Sequence, residues 1–115
     1  MPRLLVVSQH ARRYAELIEA AQLPDLSAHY ATTTEAARAH CADAEILFGA
    51  PDRLAPLLGQ AASLQWVQSS WAGVKPLLDT GQGNYRLTGV KGIFGPLMSE
   101  YVLGWLLALE RRILI

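Results

Sequence analysis

Three short apolar runs constrain this chain most: Leu4-Leu5-Val6-Val7, Ile46-Leu47-Phe48, and Leu64 with Trp66-Val67. The first two do not alternate apolar with polar, and in the third Gln65 alone breaks the apolar residues. A strand with one face in water alternates; a strand covered on both faces does not, and strands of that kind belong to parallel sheets clothed by helices. The segments between the runs carry helical spacing or turn residues. Parallel strands need such crossovers, because a tight hairpin can join only antiparallel ones. The pattern predicts an open α/β sheet of parallel strands with helices on both faces.

The elements follow in order. Arg3 to Val7 reads as the first strand and Ser8-Gln9-His10 as a loop. Ala11, Tyr14, Ile18 and Ala21, with Leu17 beside them, form the apolar stripe of a helix that stops near Pro24. Ser27 to Tyr30 is a second strand. Thr32 and Glu35 have the spacing of a capping box for an alanine-rich helix through His40. Glu45 to Phe48 is a third strand. Pro51 suits the first turn of the short helix that runs on to Leu58. The fourth strand lies in the stretch from Leu64, and Val74 to Leu78 makes one or two helical turns. Tyr85 to Thr88 is a fifth, edge-like strand. Lys91 to Gly95 is a connector, and Pro96 opens the longest helix, through about Arg112. The expected strand order is 2-1-3-4-5.

The segment Leu64-Gln65-Trp66-Val67-Gln68-Ser69-Ser70-Trp71-Ala72-Gly73-Val74 concentrates the functional signal. A buried strand passes into a tight loop and then a helix start, and Ser69 and Ser70 fall where the strand reaches the sheet edge. Gly73 allows the backbone to turn or to approach a ligand closely. The N–H groups opening the next helix suit an anion such as a carboxylate. In open α/β sheets ligands bind beyond the carboxyl ends of the strands, where this loop would lie. A loop built this way for geometry alone is the plainer reading of the same residues.

The last helix is the second informative segment. Leu97, Tyr101, Val102, Trp105, Leu106, Leu109 and Ile113 form a wide stripe, and Leu103, Leu107 and Leu114 add apolar residues on the other sides. A helix apolar nearly all round is expected to be buried nearly all round. With 115 residues the chain makes one sheet domain, which can cover one side of that helix. The chain is 51% hydrophobic and 17% charged, so some apolar surface is expected to meet a partner. A homodimer through the 96–112 helix is the expectation.

Other chemistries are excluded residue by residue. Ten basic and ten acidic residues cancel, with no basic stripe for nucleic acid. The single cysteine, Cys41, excludes an intrachain disulfide and fits a reducing compartment. Its neighbour His40 cannot easily chelate one ion with it, and His10 and His29 lack partners at ligand spacing, so no metal is expected. His10 ends the first strand on the ligand side, where it is either a general-base candidate or a solvent-facing loop residue. Gly81-Gln82-Gly83 lacks the third glycine of a dinucleotide fingerprint, since position 86 is arginine. The nine-residue apolar run Tyr101 to Leu109 is too short for a bilayer, which takes about 20 residues in a helix. No secretory signal is visible, and a soluble cytoplasmic protein is expected.

Two blocks carry a family resemblance: Leu64 to Val74 as written above, and Gly92-Ile93-Phe94-Gly95-Pro96-Leu97-Met98-Ser99-Glu100-Tyr101 with the apolar helix after it. In content, order and spacing they resemble the N-terminal part of the D-isomer-specific 2-hydroxyacid dehydrogenases, nearest the glyoxylate/hydroxypyruvate reductases. The resemblance covers essentially the whole chain. It implies a flavodoxin-like substrate-binding domain, incomplete over residues 1–95, and a connecting helix over 96–115 leading towards an absent Rossmann domain. It also implies reduction of 2-oxo acids to D-2-hydroxy acids with NAD or NADP. Trp71, Ala72, Gly73 and Val74 would hold the substrate carboxylate, largely through backbone N–H groups. Leu97 and Met98 would approach the nicotinamide. Lys75 departs from the family, which often has aspartate there.

The family's catalytic arginine, glutamate and histidine and its glycine fingerprint have no counterpart in these residues. The chain is therefore expected to be a truncated piece, a proteolytic remnant or a curtailed reading frame. It is expected to be inactive alone and to bind no cofactor tightly. A stand-alone flavodoxin-like module that binds small carboxylates, or one that dimerises through its apolar helix, is the competing expectation.

Overall fold

The computed structural model describes residues 1–81 and 83–114; Gln82 of the glycine pair and Ile115 lie outside them. Five strands, β1 (Arg3–Val7), β2 (Ser27–Ala31), β3 (Ile46–Gly49), β4 (Trp66–Ser69) and β5 (Arg86–Thr88), form one parallel sheet in the order β2-β1-β3-β4-β5. The helices are α1 (Ala11–Ala20), α2 (Thr34–Cys41), α3 (Pro51–Leu54), α4 (Lys75–Leu78) and α5 (Gly95–Glu110). A 3-10 stretch, Ala55–Gln60, continues α3, so the irregular helix expected there is two tighter pieces. The fold class and strand order are those predicted from the apolar runs.

The register aligns Leu5, Leu47, Val67 and Leu87 in one row across β1, β3, β4 and β5. With Val7 and Ala31 this row meets Ala37 and Cys41 of α2, Leu54 of α3, Leu57 of the 3-10 stretch and Leu77 of α4. Leu5, Leu47, Leu54, Leu57, Val67 and Leu77 are fully buried, and at about 1.5–3 kcal/mol each this cluster is the main cohesive term. The Cys41 thiol lies inside it and donates to the Leu57 carbonyl at 3.3 Å. Burial pushes the thiol's pKa up, only partly opposed by Arg38, which fits an inert structural cysteine.

The opposite face is unevenly covered. Tyr14 of α1 meets Phe48 of β3 edge-on, with ring centroids 4.8 Å apart. Over β4 and β5 the residues of this face, Trp66, Gln68, Arg86 and Thr88, are half-buried or exposed. They form a lateral chain instead: Trp66 Nε1 donates to Thr88 Oγ1 at 2.7 Å, and the Thr88 hydroxyl donates to Gln68 Oε1. Leu17 and Ala21, assigned to the α1 stripe by spacing, are exposed.

Two local expectations change. The α2 cap is Thr33, whose hydroxyl accepts the Ala36 N–H at 3.1 Å; Thr32 is not the cap. Glu35 then sits inside the first turn and pairs with Arg38 three residues on, so the box expected from the Thr32–Glu35 spacing does not close. The last helix ends at Glu110, short of Arg112, and none of its residues is buried. Trp105 is 46% exposed and Leu106 57%. The chain's own sheet does not hide the apolar stripe. Among the described residues no helix is long and apolar enough to cross a membrane.

Thr33→Ala should cost about 1 kcal/mol, the usual worth of an N-cap, while Thr32→Ala should change stability by less than half of that. Urea unfolding of the two variants checks it, and equal losses would restore the cap to Thr32.

Candidate functional site

The carboxyl ends of β1, β3 and β4 surround a cleft of about 360 Å³. Its lining comes from the loop after β1 (Ser8, Gln9, His10), from Tyr14 of α1, from Ala50, Asp52 and Arg53 after β3, and from Ser70 and Trp71 after β4. A larger cleft of about 650 Å³ opens at the amino ends of β3, β4 and β5, lined by Glu45, Leu64, Tyr85 and others. Volume alone would favour the second. Ligands of open α/β sheets sit beyond the carboxyl ends, where crossover loops splay apart, so the smaller cleft is the candidate site.

Its geometry starts at Gly49. A Cβ on this residue would overlap the Val7 carbonyl oxygen, so only glycine lets β3 run this close to β1 at the rim. The Gly49 carbonyl then accepts the Ser70 N–H at 2.9 Å, which ties the loop after β4 to the end of β3. From there the chain passes through Trp71, 44% exposed, to Ala72 and Gly73, both exposed, and half-buried Val74. Among the described residues no backbone acceptor meets the N–H groups of Ala72, Gly73 and Val74. A Cβ added to Gly73 would meet nothing within 4 Å, and its φ is not positive. The glycine is thus not needed for the turn, and its bare face looks into open space.

The helix start contributes less than its sequence suggested. The turn α4 has four residues and carries proline at its second position, so Pro76 has no N–H to offer. One turn also carries little dipole. The Lys75 ammonium is turned along the helix onto the Asp79 carboxylate, at 2.6 and 2.8 Å.

The other candidates fall in different places. His10 lines the cleft, exposed, with its N–H on the Ser8 hydroxyl at 3.0 Å. Arg53 also lines it, and its guanidinium donates to the Thr32 carbonyl at 2.9 Å. Sequence spacing offered no sign of this pairing across 21 residues. Of the loop residues named from sequence, Trp71 lines the cleft and Ala72, Gly73 and Val74 do not; Leu97 and Met98, exposed at the start of α5, do not line it either. His40 stacks on His29 with rings 4.1 Å apart and 8° from parallel, an arrangement that opposes ring faces and not lone pairs. Among the described residues no group of three metal-ligating side chains converges. Burial raises the pKa of Tyr30, Cys41 and Tyr85, and none of these lines the cleft.

A parallel sheet in the order 2-1-3-4-5 with flanking helices, and a cleft at the carboxyl ends of its strands, defines a flavodoxin-like α/β fold. A search of solved structures finds the same fold, with a TM-score of 0.92 and 46% sequence identity, in the crystal structure of a D-isomer specific 2-hydroxyacid dehydrogenase family protein from Aeromonas salmonicida subsp. salmonicida A449. The match covers 96% of this chain and 36% of that one. The chain belongs to the D-isomer specific 2-hydroxyacid dehydrogenase family. It spans little more than a third of that relative's length. No family model matches it, and neither does any curated protein.

Gly49→Ala should lower stability by about 1–3 kcal/mol, the usual cost of overpacking, because the Val7 backbone cannot move aside without breaking the sheet. Gly104→Ala on α5 is the control, since its added methyl meets nothing within 4 Å. A urea midpoint for Gly49→Ala equal to the parent's would contradict the close approach.

Proposed function

We propose that this chain is the substrate-binding part of an NAD- or NADP-dependent dehydrogenase that reduces small 2-oxo acids of the glyoxylate or hydroxypyruvate type to D-2-hydroxy acids. One observation carries the reading. In a chain of this family, the N–H groups of Ala72, Gly73 and Val74 stand without acceptors in the loop that leaves the candidate cleft at Trp71. A carboxylate is the anionic end of every such substrate, and charge-assisted bonds to it are worth about 1.5–3 kcal/mol each. Gly73 lets the carboxylate approach the backbone without a Cβ in the way. The cleft suits an acid of a few carbons, at the low end of ligand-pocket volumes.

The nicotinamide cofactor, when bound, supplies the hydride. Toward it this chain offers the exposed apolar surface of Leu97 and Met98 on the first turn of α5. Its described residues hold no three-glycine turn between strand and helix for the dinucleotide phosphates; Gly81 and Gly83 follow α4, not a strand. The role of this chain is to bind and orient the acid.

Association is part of the same proposal. Every residue of α5 except Ala108 is exposed, and a groove of about 280 Å³ runs along it past Tyr101, Gly104, Trp105 and Ala108. Each large side chain left in water forgoes about 1.5–3 kcal/mol. Gly104 and Ala108 lie four residues apart on one helix face, where small side chains permit a second helix to come close. A two-fold dimer with the α5 helices in contact covers the patch.

Titrating the labelled chain with glyoxylate should shift the amide signals of Ala72, Gly73 and Val74, with a dissociation constant on the order of millimolar for a few such bonds. Gly73→Val should abolish the shifts, and in a complete dehydrogenase it should raise KM with cofactor affinity unchanged. Signals that stay put at tens of millimolar glyoxylate would refute the carboxylate loop. Sedimentation equilibrium at micromolar concentration should give a dimer, and a 12.6 kDa monomer would refute the α5 contact.

A further inference from the structure

Ser69, the last residue of β4, is the fully buried polar side chain of the core. Its hydroxyl makes two bonds to one neighbour. Ser69 Oγ accepts the Trp71 N–H at 2.9 Å and donates to the Trp71 carbonyl at 2.9 Å. The same carbonyl accepts the Val90 N–H at 3.3 Å, from the segment after β5. Next to Val90, Gly89 presses on the loop. A Cβ there would stand 3.3 Å from the Trp71 carbonyl oxygen and 3.5 Å from that of Ala72. Every polar group of the Trp71 backbone is therefore spent inward, and the loop is backed by a residue whose lack of a side chain sets how far it can sink. The next three N–H groups, of Ala72, Gly73 and Val74, are left facing away from the protein's acceptors.

We propose that Ser69 is a positioning residue of the carboxylate loop. Its hydroxyl locks both polar groups of the Trp71 backbone, Gly89 sets the depth of the loop, and together they aim the N–H groups of residues 72–74 at the ligand. The inference rests on the carboxylate reading for what the aimed groups bind, and on the hydrogen bonds alone for how they are aimed. Ser69 touches no ligand itself. A buried hydroxyl suits the task because one oxygen can accept and donate at once. Alanine of nearly the same size would leave the Trp71 N–H without its acceptor and its carbonyl held by the Val90 N–H alone, which loosens the direction of the next peptides.

Three variants of the chain test it: Ser69→Ala, Ser69→Thr and Gly89→Ala. The ligand-free measurement is amide hydrogen exchange. Ser69→Ala should speed exchange at Trp71 by about tenfold, the loss of one ordinary hydrogen bond. Exchange at Ser70, held by the Gly49 carbonyl, and at Val67 in the ladder should stay as in the parent. A general loss of stability would move all three together, so the contrast isolates the lock. The second measurement is glyoxylate affinity by amide shifts. Ser69→Ala should weaken it about tenfold, Ser69→Thr should restore it by keeping the hydroxyl, and Gly89→Ala should weaken it from the other side with Ser69 intact. An unchanged Trp71 exchange rate in Ser69→Ala overturns the inference with or without ligand. So does a freed Trp71 amide with parental glyoxylate affinity. A parent chain that binds no glyoxylate sinks the carboxylate reading, and the exchange contrast alone then decides whether Ser69 positions the loop.

Discussion

The whole arrangement depends on how closely β1 and β3 approach at their carboxyl ends. The Val7 carbonyl occupies the place where a side chain on residue 49 would begin. Because Gly49 has none, the two strands stay in register to the rim, and Leu5, Leu47 and Val67 fall into one row under the helices. The same glycine offers its carbonyl to Ser70 and so fixes where β4 ends and the loop begins. Core packing and cleft geometry thus share one backbone contact. A loop that hangs from the central strands keeps its direction as long as the core holds, which is the advantage of building sites on rigid elements.

The second governing feature is an imbalance of surface. One face of the sheet is covered by α2, α3, the 3-10 stretch and α4, while the other has α1 near its β1–β2 side and a polar row over β4 and β5. The longest helix, α5, contributes no buried residue. The core accounts for the cohesion of residues up to about Leu87, and α5 adds apolar area without adding burial.

Much of this was legible in the residues. Strands without strict alternation pointed to cover on both faces: β1 has it, with Leu5 and Val6 both buried, whereas β4 buries Val67 on one side and leaves Trp66 exposed on the other. Pro51 and Pro96 marked helix starts correctly, because a residue with fixed φ and no N–H is tolerated there. The errors were local and share one cause. Thr32 and Thr33 are chemically alike, and which of them caps α2 depends on where β2 releases the chain. At the helix start after the loop, Pro76 removes one of the N–H donors that the spacing suggested, and α4 is a single turn. Cys41, read as structural, does lie in the core with its thiol on the Leu57 carbonyl, while its neighbour His40 stacks on His29 from another element.

By itself, then, the sequence determined the fold class, the strand order and the presence of an over-apolar helix, since each follows from periodicity or from a motif contiguous in the chain. Tertiary structure alone decided which polar groups are spent and which are free. Ser69 reads as an ordinary small residue at a strand end, and Gly89 as one more glycine, until the fold brings Val90 and the Trp71 carbonyl within 3.3 Å. The difference is physical: burial patterns repeat along the chain and can be counted, whereas a hydrogen bond's partner is set by a separation in space that no spacing in sequence encodes.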